Sequence, residues 1–373
     1  MSECRTALMR AMSDIKARYE NENIAILLSG GVDTAAAKEA NGELGDSKII
    51  IQNAVTVLTS ESATDRPYAS PVAIRHSLSH HILDVNLLAV LEMLPFCVKT
   101  LRTFDGMTLR NSIVIALALK KAKELGASVI LTGDGADELM GGYSFTWATV
   151  DDTLWVTKRN ELAGKMNFST GEMASALGLK AVASPFLEPV FIDWATTSTS
   201  RADCIGDMPI ELSPSTERIM HITGKVCLRN AFPLSPSAHR KKDPIEVGSG
   251  ASALNVSQGG AEFFGAQLNM PQTPEGLGAF AYEKRTILED HGVAIKDVEH
   301  LYYYREFLRC FPPTSDDLMK AGENINLERF TVDACVGCGY RLRKCDDMFC
   351  YVCGAWPARV LPAEPAAVVT TAT

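Results

Sequence analysis

Short apolar runs alternate with longer, helix-striped segments through residues 21–143. Residues 1–20 are charged and predict a leading helix. "NIAILLSGG" is then an apolar run of strand length ending in a turn at Ser29-Gly30-Gly31, and "AAAKEA" continues as helix. "KIIIQNAVTVLT" (48–59) is β-branched and predicts a second strand, and "HHILDVN" (80–86) predicts a third. Between them, residues 67–78 fit a helix despite Pro67 and Pro71. "LLAVLEMLPFCVKTL" and "TLRNSIVIALALKKAKELG" read as helices by length, apolar stripe and the stop at Gly126. "SVILTGDGADELMGGY" (128–143) is another apolar strand that runs into a polar, glycine-rich turn. Strands alternating with helices predict an α/β fold, a parallel sheet flanked by helices. Such sheets take ligands at the carboxyl ends of their strands, so both glycine turns should open onto that edge.

The alternation fades after residue 150. Residues 150–245 read as mixed and mostly helical, residues 248–280 (rich in Gly, Ser and Gln) as loop, and residues 281–325 as charged helix. Five cysteines then fall within residues 335–353, and the tail "LPAEPAAVVTTAT" is low in complexity, as in disordered segments. No internal repeat is visible. The organisation expected is an N-terminal helix (1–20), a main domain (21–255), a loop and helical extension (256–330), a cysteine module (331–358) and a disordered tail (359–373).

Composition narrows the function classes. At 373 residues and 46% hydrophobic, the chain can bury a sizeable core. A formal net charge of −9 argues against bulk electrostatic binding to RNA or DNA, because neutralising phosphates needs a basic surface. No apolar run reaches the ~20 residues of a spanning helix, and the N-terminus has no signal core, so a cytoplasmic, non-membrane protein is expected. The pattern leaves a homo-oligomer open.

Two motifs carry the chemistry. In Ser29-Gly30-Gly31-Val32-Asp33-Thr34, the glycines let backbone approach an oxyanion, and the following helix offers N–H groups and a positive dipole end. Ser29 and Thr34 add hydroxyls, and Asp33 suits Mg²⁺. Neither the Walker loop nor the G-x-G-x-x-G fingerprint is present. The second motif, Thr132-Gly133-Asp134-Gly135-Ala136-Asp137-Glu138 with Gly141-Gly142-Tyr143, sets three acids in five residues after a buried-type strand. A helix N-terminus explains one or two of them; metal binding or proton chemistry explains all three.

Together these motifs resemble the synthetase domain of the asparagine synthetases and β-lactam synthetases, PP-loop ATP pyrophosphatases of the adenine nucleotide alpha-hydrolase type. That family carries S-G-G-x-D-S and, about a hundred residues later, [ST]-G-E-G-x-D-E-x-x-G-G-Y. Further fragments match in order: "HHILDV", "TFDGMTLRNS", "SPFLEPVFID", "GKVCLRNAF" and "RKKDPIEVGSG". The resemblance covers roughly residues 20–255. It implies an ATP-dependent ligase that adenylates a substrate carboxylate, releases pyrophosphate, and passes the acyl group to ammonia or an amine. Ser29, Gly30, Gly31 and Thr34 then match the pyrophosphate cradle, and Thr132 and Gly133 of the second motif are also expected to bind the nucleotide. Asp33 and Asp137 match the Mg²⁺ ligands, Lys242 the family's essential lysine, and Arg110 its phosphate-side arginine. Leu28 and Val57 match the strand ends that contact adenine. Asp134 stands where the family has a glutamate near the acyl group. Lys225 is a second candidate for the catalytic lysine, and His80 and His81 are expected to be structural.

The chain also departs from the family. Thr34 replaces a serine, Asp134 is one methylene shorter than glutamate, and Ala183-Ser184 stand where an arginine often precedes P-F-L-D. About twenty residues precede the first strand and position 2 is Ser, so no glutaminase domain is expected. Nitrogen would come as free ammonia, as an amine substrate, or from a separate glutaminase partner.

Cys335-x-x-Cys338 and Cys350-x-x-Cys353, each followed by glycine, predict a closed Cys₄ zinc ribbon. Cys345, in the linker, is expected to be a free thiol, with a persulfide-carrying or catalytic thiol as the alternative. Zinc ribbons also accompany PP-loop enzymes that thiolate RNA, so sulfur transfer through an adenylated intermediate is the alternative.

Overall fold

The computed structural model describes residues 2–312, 329, 332–344 and 346–360. The expectations for Cys345 and for the tail beyond residue 360 lie outside them. The chain divides into two compact units. The first comprises residues 1–101 and 110–253, and the second residues 102–109 and 254–373.

A five-stranded sheet organises the first unit: β1 (Ile24–Leu27), β2 (Ile51–Leu58), β3 (Ser79–Asp84), β4 (Val129–Leu131) and β5 (Ala181–Ala183). Its order is β3-β2-β1-β4-β5, and every pairing is parallel. The expected parallel α/β sheet is therefore present. The central strands "IAIL" and "VIL" are almost wholly buried, as continuous apolar runs in a sheet covered on both faces should be. Helix Glu3–Arg18 adds Cys4, Ala7, Leu8, Ala11, Met12 and Ile15 to the core, all at helical spacing, and is capped by Ser2. The chain crosses from β1 to β2 on one side and returns to β4 on the other. The turns after β1 and β4 thus flank the switch in strand order, where α/β sheets take ligands.

Three expectations change. The apolar run at 87–101 is broken into Leu87–Leu91 and Leu94–Leu101; Pro95 cannot donate its missing N–H to a continuous helix. The mostly helical reading of 150–245 missed β5 and an antiparallel hairpin, β6 (Ile205–Ile210) with β7 (Ile219–Gly224). β5 (AVA) is made mostly of small residues and lacks the bulky apolar run of the equally short β4 (VIL). Residues 248–280 are not loop: they hold helix Gly260–Gln267 and the start of Pro274–His291. Glycine-rich helices lack the propensity signal, and burial of Phe264 supplies the stability instead.

In the second unit, helix Val298–Cys310 buries Tyr303, Tyr304 and Phe307. Phe104 sits against the rings of His300, Tyr304 and Phe307 at 5.0–5.1 Å between centroids.

Candidate functional site

The first motif forms the turn between β1 and helix Val32–Glu43. Gly30 has φ +71°, and a Cβ there would lie 2.3 Å from Ala69 N, so only glycine fits. Gly31 is the N-cap and brings no side-chain acceptor to the first-turn N–H groups. The turn is held from outside its own segment. Ser237 Oγ donates to Gly30 O (2.7 Å), and Arg240 donates to Ser29 O (2.6 Å). Arg240 also pairs with buried Asp65 (2.6 Å) and stacks over the Tyr68 ring at 4.6 Å. Burial pushes the Asp65 carboxyl up to about 6, against the pull of Arg240. Ser237 and Arg240 were not among the expected residues. Arg240 opens the fragment "RKKDPIEVGSG" beside Lys242, and that was the only available signal.

The first and second motifs meet over a buried charge cluster. Lys225 Nζ lies 2.7 Å from Asp33 Oδ2 and 2.6 Å from Asp137 Oδ1, with its side chain 1% exposed. Lys242 Nζ lies 2.9 Å from Asp137 Oδ2, and its side chain keeps 30% exposure. Lys225 follows β7 and adopts φ +63°, a left-handed conformation that is strained for lysine. Its N–H donates to Met140 O (2.9 Å), and this draws the hairpin onto the second motif. The approach leaves no room for side chains. A Cβ on Gly142 would lie 1.8 Å from Asp137 Oδ1, and one on Gly224 would lie 2.0 Å from Gly141 O.

These contacts set the charges. Burial raises the Asp33 carboxyl, and Lys225 opposes it. Burial would raise Asp137 too, but Lys225 and Lys242 outweigh it and hold that carboxyl below the usual range. The two aspartates in turn outweigh burial at Lys225 and keep its ammonium charged. Among the described residues, buried Asp33 Oδ1 has no hydrogen-bond partner. An orphaned carboxylate oxygen beside a second carboxylate is a donor set that fits Mg²⁺.

The other expected residues make the following contacts. Leu28 and Val57 are both buried, and Leu28 N donates to Val55 O (2.8 Å). Thr34 Oγ1 reaches Gly31 O at 3.5 Å. At Gly133, a Cβ would lie 2.7 Å from Asp33 Cβ, so the two turns touch there. Thr132 Oγ1 donates to Asp134 Oδ2 (3.1 Å), and burial pushes Asp134 up to about 6. Arg110 Nε pairs with Glu246 Oε2 at 2.5 Å, a residue just beyond Lys242 on helix Ile245–Ser249. Thr56 links His80 (2.8 Å) to Leu28 O (2.5 Å).

In the second unit, Cys335, Cys338, Cys350 and Cys353 converge, their sulfurs all within 4.8 Å of one another. Cys335 to Cys353 and Cys338 to Cys350 are both 3.7 Å, and all four cysteines are free of disulfides. Thiolates at about 2.3 Å from a tetrahedral zinc lie roughly 3.8 Å apart, so the spacing suits that ion. Gly339 and Gly354, at φ +73° and +68°, turn the chain after each pair.

Residues 8–203 match the family model described as asparagine synthase. The chain is 25% identical to asparagine synthetase [glutamine-hydrolyzing] 2 of Oryza sativa subsp. japonica, over 77% of this chain and 47% of that protein. It is 24% identical to asparagine synthetase B [glutamine-hydrolyzing] of Escherichia coli (strain K12), over 80% of this chain and 52% of that one. It thus spans about half the length of the curated relatives it matches. A solved structure of an NH3-dependent NAD synthetase from Campylobacter jejuni subsp. jejuni NCTC 11168 is similar at 14% identity and a TM-score of 0.28, over 52% of this chain and 92% of that one.

Proposed function

Because the chain belongs to the asparagine synthase family, we propose that it is an AMP-forming ligase that joins a carboxylic acid to ammonia or an amine. In the first step a substrate carboxylate oxygen attacks the α-phosphorus of ATP. The bond from that phosphorus to the bridging oxygen breaks, giving an acyl-adenylate and pyrophosphate. In the second, the nitrogen lone pair attacks the acyl carbon, AMP leaves with the C–O bonding electrons, and the amide nitrogen loses a proton.

The observation that carries this reading is the convergence of Asp33, Asp137, Lys225 and Lys242 beside the helix that follows β1. Phosphate oxygens gain charge as pyrophosphate leaves, and fixed cations lower the barrier only if they are in place beforehand. Lys225 is fixed by burial. Lys242 is the more exposed of the two and is suited to meet the phosphates. The uncapped first turn at Val32–Thr34 offers N–H groups to the same oxygens. Asp33 and Asp137 would hold Mg²⁺, which neutralises phosphate charge when bound. Asp134, raised by burial, is placed to take up or release a proton between pH 5 and 7. The four cysteines would hold zinc in a structural role. No helix among the described residues is long and apolar enough to cross a membrane. The sulfur-transfer alternative finds no support in the family model or in the named relatives.

The test is ATP–pyrophosphate exchange over a panel of carboxylic acids, followed by mass spectrometry of products with ¹⁵N-ammonium or amines present. Acid-dependent exchange and ¹⁵N-labelled amide are expected. Turnover that ignores ammonium and amines but requires sulfide would overturn the reading.

A further inference from the structure

The second cysteine pair does more than close a loop. Its backbone takes hold of residues 103–105, far away in sequence. Thr103 Oγ1 donates to Tyr351 O (2.6 Å) and approaches Val352 O (3.2 Å), and Phe104 N donates to Val352 O (2.7 Å). Both carbonyls belong to the two residues between Cys350 and Cys353. Asp105 packs so closely that a Cβ on Gly354 would lie 1.9 Å from its Oδ1. Lys296 Nζ donates to Gly354 O (2.5 Å) from the other side.

Residues 103–105 are also the start of helix Gly106–Glu124. Asp105 Oδ2 accepts from Thr108 N (2.9 Å) and Thr108 Oγ1 (2.7 Å), and Asp105 O accepts from Leu109 N (3.0 Å). The 350–354 turn therefore meets the residues that set where this helix begins.

Rigidity of that turn depends on the four sulfurs. Four neutral thiols packed at 3.7 Å form only weak hydrogen bonds, and four thiolates repel unless a cation neutralises them. We propose that zinc bound by Cys335, Cys338, Cys350 and Cys353 fixes residues 103–105 and so sets the first turn of helix Gly106–Glu124, with Thr103 as the positioning residue between metal turn and helix. This coupling does not rest on the ligase reading.

The experiment is hydrogen exchange by mass spectrometry on the full chain, zinc-loaded and after stripping with a chelator. Amides 103–109 should lose protection on stripping, while those of β1, β2 and β4 keep theirs. Failure to bind one zinc per chain overturns the proposal, as does unchanged protection at 103–109. Equal loss of protection in the sheet also overturns it, because the metal would then be a general staple. In zinc-loaded protein, Thr103→Val should leave metal content unchanged and expose amides 103–109. Thr103→Ser, which keeps the hydroxyl, should restore their protection. A Thr103→Val protein with unaltered exchange overturns the proposal. A protein with the exchange pattern but no ATP–pyrophosphate exchange on any acid overturns the ligase reading alone.

Discussion

The two polar centres of the chain are built on opposite plans. The four-cysteine cluster draws all its ligands from one short stretch, Cys335 and Cys353 lying 18 residues apart. The carboxylate–lysine cluster draws on distant segments, with Lys225 and Asp33 separated by 192 residues. The first centre is specified by local spacing and lies in a segment with little core of its own. The second exists only because a sheet and a hairpin deliver its members to one place. A local site should therefore depend on its ion, and a distributed site on its fold.

Removing metal should have the largest effect. Structural zinc in small modules supplies about 10–16 kcal/mol of apparent binding free energy, so chelation should unfold the cysteine turns while the parallel sheet survives. Calorimetry with and without chelator would show one transition moving. If both move equally, the contrast between the centres fails.

Next comes Lys225→Met. It leaves Asp33 and Asp137 buried beside a neutral side chain, and breaking a buried ion pair in this way costs about 3–5 kcal/mol. Urea denaturation should show that loss in the first unit. A midpoint unchanged from the parent would mean that the lysine is not what holds the two acids together.

Asp134 should give a pH signature of about 3 kcal/mol. Its carboxyl is near 3.9 when unfolded and is pushed up to about 6 by burial when folded. The folded chain therefore binds this proton more tightly. The stability it contributes is fully present below about pH 4 and is lost as pH rises through about 6. Asp65, also raised to about 6, tilts the curve the same way. Asp134→Asn should remove its share of the slope and leave that of Asp65, as read from urea midpoints at pH 4.5 and 7. An unaltered slope refutes the assignment.

Lys242→Met should have the smallest effect on stability, within about 1 kcal/mol, because a partly exposed pair is screened by water. It should nonetheless abolish ATP–pyrophosphate exchange. A stable, active variant would move the transition-state role away from Lys242.

The same contrast explains how much could be read from the sequence. The first four strands and both glycine turns were legible because apolar runs and their turn residues are local. The cysteine pairs were legible because metal ligation fixes their spacing. Strand β5 (AVA) lacks the bulky apolar run that marks the equally short β4 (VIL), and the hairpin β6–β7 was hidden in a segment of mixed pattern. Lys225 was legible as a candidate catalytic lysine through the fragment GKVCLRNAF, but nothing near it says that its amine will end between two aspartates from other segments. Ser237 and Arg240 escaped for the same reason, since they act on backbone carbonyls of a turn some two hundred residues earlier in the chain.

The burial of Lys225 also separates the two amines chemically. An acylating reagent reaches Lys242 from solvent and finds Lys225 sealed beneath Gly142, where a single added methyl would have no room. Labelling of Lys225 thus proceeds only through moments when the hairpin lifts from the second motif. Its rate is a clock for the opening of that joint, kept by the chain's own side chain.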